Sequence, residues 1–206
     1  MTHKYILGMA LAVSAGVAHG NLITNGSFEE SSFAVPSWVS LSAGSTVLDG
    51  WTVFGNGIDY IGSLWEASDG DHTLDLNMAG AGGGVSQEIA TTIGWIYTVE
   101  FDLSANMYGA PSPKLMSVGA GGESEAFSFD YQTQEASSGD PKWQHISWTF
   151  VATEELSTIA FTGLNASAYG ASIDNVRVDG VAPVPAPGAF AIGLGSIGLL
   201  GARRRR

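Results

Sequence analysis

Cysteine is absent from this 206-residue chain. That excludes a disulfide scaffold, thiol catalysis and the Cys-based zinc and iron–sulfur sites. Basic residues are scarce. Of eight Lys and Arg, only Lys114, Lys142 and Arg177 lie between residues 21 and 181, where all twenty acidic residues fall. A field of that sign repels nucleic acid and anionic lipid and attracts cations. Acidic charge is also a solubility device, so it excludes partners more firmly than it selects one. The middle of the chain carries no long helical period, and its glycines argue against helices. HExxH, GxSxG and P-loop patterns are missing around His72 and His145, the only histidines well inside the middle of the chain.

What is present begins with the two ends, which read as address labels. His3 and Lys4 precede an apolar run from Tyr5 to Val17, followed by Ala18-His19-Gly20. That order is the pattern of a removed secretory signal peptide over residues 1–20, with cleavage before Asn21 or after Ala18. At the other end, residues 181–206 comprise a Pro- and Ala-rich linker, a short apolar stretch from Gly188 to Ala202, and Arg203, Arg204, Arg205 and Arg206. The stretch is shorter than the roughly 17 to 25 residues of an ordinary span. Gly193, Gly195, Gly198 and Gly201 give it a narrow, closely packable face suited to a transmembrane helix. Four terminal arginines resist transfer across a bilayer and would hold that end on the cytoplasmic side. Val184-Pro185-Ala186-Pro187-Gly188, the apolar stretch and the basic end together resemble the PEP-CTERM sorting signal of Gram-negative bacteria. The resemblance implies an exosortase as processing partner, transient membrane contact, and export to the cell surface or extracellular matrix. Ala186 stands where that family usually has Glu.

Without its ends the chain keeps about 160 residues, enough for one domain that buries its own core. Between residues 21 and 180 it shows short period-two segments separated by Gly, Asn, Asp, Ser and Pro. Tyr97, Val99, Phe101 and Leu103 alternate with Thr98, Glu100, Asp102 and Ser104; Ile146, Trp148 and Phe150 alternate with Ser147 and Thr149; Ile159 and Phe161 alternate with Thr158, Ala160 and Thr162. Further strands are expected at Trp51–Phe54, Ile58–Ile61, Thr73–Leu76, Val85–Ile89, Leu115–Val118, Phe127–Tyr131 and Ile173–Val178. Roughly nine or ten short strands predict an all-β sandwich or jelly roll, one face of each strand buried and the other solvated.

Several stretches carry a family resemblance when taken in order. They are Asn21-Leu22-Ile23-Thr24-Asn25-Gly26-Ser27-Phe28-Glu29, Gly57-Ile58-Asp59-Tyr60-Ile61-Gly62, Ser68-Asp69-Gly70 with Leu74-Asp75-Leu76, and Ser172-Ile173-Asp174-Asn175-Val176-Arg177-Val178. The region resembles the choice-of-anchor C family, which is similar to plant cell-wall proteins and galactose-binding-like jelly rolls. That implies an exported jelly-roll β-sandwich with its terminal strands side by side; it implies no reaction. In similar carbohydrate-binding modules a Glu after the first-strand Phe and an Asp in the last strand share a structural calcium. The matching positions are Glu29 and Asp174, with Asn25 and Asn175 as weaker contributors. Calcium wants six to eight oxygens, so backbone carbonyls or water would have to complete the shell. The alternative is a turn at Asn25-Gly26 with both carboxylates solvated.

Sugar binding needs aromatic faces for stacking, flanked by amides and carboxylates for the hydroxyls. Tyr60, Trp65, Tyr108, Trp143 and Tyr169 are the candidates near expected loops and strand ends, while Trp51, Trp95 and Trp148 are expected in the core. An enzyme reading would rest on an acidic pair of fixed separation. Asp69, Asp71 and Asp75 are close in sequence, but their turn-strand setting reads as structural. The sequence therefore favours a non-enzymatic extracellular domain contacting polysaccharide. A structural or adhesive matrix protein stands second, and a weak glycan-active hydrolase third.

Overall fold

Two stacked antiparallel sheets, seven strands and five, make up the computed structural model, which describes residues 18–80 and 82–183. The strands are β1 (Ala18–His19), β2 (Trp38–Leu41), β3 (Thr52–Phe54), β4 (Ile58–Ile61), β5 (Thr73–Asp75), β6 (Gly84–Ala90), β7 (Ile96–Ala105), β8 (Lys114–Ala120), β9 (Glu123–Phe129), β10 (Gln144–Val151), β11 (Leu156–Gly163) and β12 (Ala171–Val181). The larger sheet runs β10-β7-β12-β5-β4-β2, with β1 also paired to β12; the smaller runs β3-β6-β11-β8-β9. Among the described residues there is no helix. The domain is an all-β jelly-roll sandwich.

Period-two alternation builds the core. Val99, Phe101, Leu103, Ile173 and Val178 face inward from one sheet, and Val85, Met116, Val118, Ile159 and Phe161 from the other, all fully buried. Phe101 and Phe161 meet edge to face across the sandwich with centroids 5.1 Å apart, a favoured aromatic geometry. Trp51 and Phe28 close one part of the core at 5.4 Å, and the Trp51 indole N–H donates to the Asn25 carbonyl (2.9 Å).

The first and last motifs lie side by side. Leu22 N–H donates to Val178 O (2.8 Å), and Val176 N–H to Gly26 O (2.9 Å). Against β7 the register of β12 shifts between Asp174 and Arg177, and Asn175 there takes φ 50°. This bulge turns Val176 away from β7 and toward Gly26, where a Cβ would sit 2.0 Å from Val176 O. Glycine is required at position 26 by that approach.

Three features differ from expectation. Strand β2 carries too brief an alternation to stand out between Pro36 and the polar run after Leu41. Strand β9 begins four residues earlier than expected, because Gly121 and Gly122, both with positive φ, turn the chain immediately after β8. The third is the outer face of the larger sheet, which is not uniformly solvated. Thr73, Asp75, Ser104, Ser172 and Asp174 occupy outward positions yet are fully buried. Loops cover them: Ser104 Oγ donates to Pro141 O (2.6 Å), and Ser68 and Asp69 N–H donate to Asp174 Oδ2 (2.7 and 3.0 Å). Outward polar residues thus form a hydrogen-bonded layer between sheet and loops.

Candidate functional site

Where the loops leave the outer face uncovered, at its β2–β4 edge, a groove of about 360 Å³ opens. The register places Trp38 opposite Ile61 and Ser40 opposite Asp59, so all four face outward and line its floor. Tyr108, after β7, and Tyr169, before β12, join Asn106, Leu64 and Met78 around it. Trp38, Tyr108 and Tyr169 are 50%, 55% and 41% exposed, an unusual amount of aromatic surface to leave wet at one place. The Ser40 hydroxyl donates to Asp59 Oδ1 (2.6 Å). Burial pushes the Asp59 carboxyl above its ordinary pKa, and the Ser40 bond opposes the shift.

The groove's aromatics stand on braced supports. Asp75, opposite Asp59 on the neighbouring strand, accepts hydrogen bonds from Asn77 N–H (2.9 Å), Gly170 N–H (3.0 Å) and Asn106 Nδ2 (2.7 Å). Asn106 Oδ1 in turn accepts the Tyr108 N–H (2.9 Å). Burial pushes the Asp75 carboxyl up to about 8. Lys114, the first residue of β8, is fully buried and donates to Gly109 O (2.5 Å) and Tyr169 O (2.8 Å). Its ammonium lies 5.4 Å from the Tyr131 ring centroid and 5.7 Å from that of Tyr169, within cation–π range. One buried cation therefore ties together the loops that carry Tyr108 and Tyr169. Desolvation pushes Lys114 down to about 8, against the pull of Asp75. Gly109 lies directly under Tyr169: a Cβ there would meet the ring at 2.3 Å.

Of the five aromatics expected to meet a ligand, Tyr108 and Tyr169 line the groove, and Trp38 is the member the sequence reading passed over. Tyr60 does not reach solvent. It points inward on β4, its hydroxyl donates to Phe28 O (2.6 Å), and its ring stacks on His72 at 5.1 Å. Trp65 is 3% exposed and packs 6.4 Å from Tyr108. Trp143 is half-buried, and its indole donates to Glu66 O (3.1 Å), bracing a loop.

Glu29 and Asp174 serve a different purpose from the one the resemblance implies. Glu29 Oε1 accepts the N–H groups of Asp71 and His72 (both 2.8 Å), and Oε2 lies 2.7 Å from His72 Nδ1. Asp174 accepts Ser68 and Asp69 N–H on Oδ2 and its neighbour Asn175 N–H on Oδ1 (2.6 Å). Surrounding N–H donors suit an anion and oppose a cation, so these two carboxylates do not fit a shared calcium. Together they clamp the loop from Ser68 to His72. Burial pushes Asp174 up to about 7, its backbone donors opposing the shift. Asn25 spans a turn, with Nδ2 donating to Glu30 O and Asp49 O. The sorting-motif residues Val184, Pro185, Ala186, Pro187 and Gly188 and the arginines Arg203 to Arg206 lie outside the described residues, as does most of the expected signal peptide. Ala18 and His19, at its end, pair with Val181 and Gly180.

The family model described as "Protein of unknown function (DUF642)" matches residues 21–179. The chain belongs to the DUF642 family. Halomucin of Haloquadratum walsbyi is 31% identical over 180 residues, and the match spans 84% of the DUF642 chain but only 2% of halomucin. Among solved structures, an arabinose-bound α-L-arabinofuranosidase aligns with TM-score 0.50 at 12% identity, over 78% of this chain and 26% of its own. A family 35 carbohydrate binding module from Clostridium thermocellum aligns with TM-score 0.46 at 14% identity, over 69% of this chain and 97% of its own. At 12% identity the arabinofuranosidase likeness bears on the fold of the DUF642 domain alone.

Proposed function

We propose that this domain binds polysaccharide, without catalysis, through the groove at the β2–β4 edge. The observation that carries the reading is the convergence of Trp38, Tyr108 and Tyr169 on one opening whose polar groups are Asp59, Ser40 and Asn106. Exposed rings offer apolar faces to the C–H face of a pyranose, and carboxylate, hydroxyl and amide groups match its hydroxyls. Few polar groups on a largely apolar lining suit a neutral, hydroxyl-rich ligand held by contact. The domain is read as part of an exported surface or matrix protein of the choice-of-anchor C type. Support comes from the signal-like first twenty residues and from the PEP-CTERM-like tail, which an exosortase would process. Affinity electrophoresis on immobilised neutral polysaccharides tests the binding. Trp38→Ala and Tyr169→Ala should abolish retardation; retention of binding in both would transfer the function elsewhere. A structural or adhesive role without a sugar pocket is the second reading, and it predicts binding that ignores both substitutions.

A further inference from the structure

A second opening of about 780 Å³ adjoins the groove. It is lined by Pro36, Ser63, Trp65, Glu66, His72 and Gly139 among others, and Leu64 belongs to the walls of both. The partition from Leu64 to Glu66 is fixed from either side: Tyr108 Oη donates to Leu64 O (3.3 Å) and Trp143 Nε1 to Glu66 O (3.1 Å). Glu66 N–H also donates to Ser138 O (2.9 Å). Trp65, in the middle of the partition and on the wall of the second opening, has a buried indole N–H with no acceptor among the described residues. Buried donors are rarely left so, and an unmade bond of this kind is costly. A hydroxyl oxygen of a bound molecule would complete it once the partition shifts enough to expose the N–H.

We propose that the second opening is a further glycan subsite. One neutral polysaccharide chain would lie across Leu64 and fill both openings, so that the domain holds several consecutive sugars of a chain. This deepens the groove reading and rests on it. Neutrality follows from the walls: Asp59 faces the first opening, and Glu66 and Asp71 face the second, with no Lys or Arg among the described residues lining either. A uronate polymer would be repelled along its whole path.

Titration calorimetry on the full chain tests this with cello-, xylo- and manno-oligosaccharides of two, four and six units. In the series that binds, affinity should rise about tenfold or more from dimer to hexamer, roughly 1.4 kcal/mol. Gly139→Leu should remove that gain while leaving dimer affinity unchanged. A Cβ at Gly139 meets nothing within 4 Å, so the bulk enters open space. Trp65→Phe, which keeps an aromatic side chain but deletes the indole N–H and the pyrrole half of the bicycle, should weaken the hexamer more than the dimer. Oligogalacturonates of the same lengths should not bind. Equal affinity for dimer and hexamer, with binding still lost in Trp38→Ala, would confine the ligand to the first groove and overturn the second subsite. Oligogalacturonate binding as tight as the neutral series would overturn the ligand class. Failure of every oligosaccharide would overturn both this inference and the groove reading beneath it.

Discussion

Replacing Asp75 by Asn isolates a buried carboxyl that props the groove. Its folded-state pKa, about 8, stands well above the usual 3.8 because the group is wholly buried. A group raised in this way contributes stability that is fully present below the unfolded pKa and lost as pH rises through the folded one. Each unit of displacement is worth about 1.4 kcal/mol, so the wild type should lose on the order of 5 kcal/mol between pH 4 and 8 through this group. Asp174, raised to about 7, pulls the same way across most of that window. Asp75→Asn removes the first contribution but offers a single acceptor oxygen to three N–H donors. It should therefore cost about 1–3 kcal/mol at pH 5. Urea denaturation followed by tryptophan fluorescence at pH 5 and pH 8 reads both effects. The variant should be weaker at pH 5 and equal or stronger at pH 8. A wild type that gains stability toward pH 8, or a variant whose pH dependence matches it, would refute the reasoning.

Other outcomes follow from the same contacts. Trp38→Ala should lose about 2 kcal/mol of glycan affinity, about thirtyfold, with an unchanged melting temperature, because the side chain is half exposed. Lys114→Met deletes the tie between Gly109 and Tyr169; glycan affinity should fall although the substituted residue touches no ligand, as calorimetry would record. Adding calcium or a chelator should leave the melting temperature unchanged, since Glu29 and Asp174 are engaged by N–H donors; a clear upward shift with calcium would contradict that geometry. Glu29→Gln should speed amide exchange at Asp71 and His72, whose N–H groups bond to Glu29 Oε1.

Alternation made the sandwich legible: the β4 bounds and the interiors of β7 and β10 follow from period two, whereas the approach of first to last motif was implied only by the family resemblance and the bulge in β12 breaks its alternation. The groove was legible only in part. Tyr108 and Tyr169 stand out as aromatics near loops, but Trp38 sits on a four-residue edge strand, where a short alternation gives little signal. Asp59 falls within an expected strand, yet nothing local indicates that its neighbours would be Ser40 and Asn106, which arrive from other segments. Burial of Asp75 and Asp174 was not legible for the same reason. A polar residue on an outward position reads as solvated unless one knows that a loop folds back over it. Tyr60 and Trp65 show the converse, since the direction of a single side chain at a strand end depends on packing from elsewhere.

The groove is assembled almost wholly from residues that contribute nothing to the sandwich interior. Trp38, Ser40, Tyr108 and Tyr169 all turn away from the packed layer between the sheets. Recognition and folding are thereby assigned to different side chains of the same strands and loops. Relatives could exchange the rings and polar groups of this surface, and so their preferred polymer, while the hydrophobic interior that holds the scaffold stays as it is.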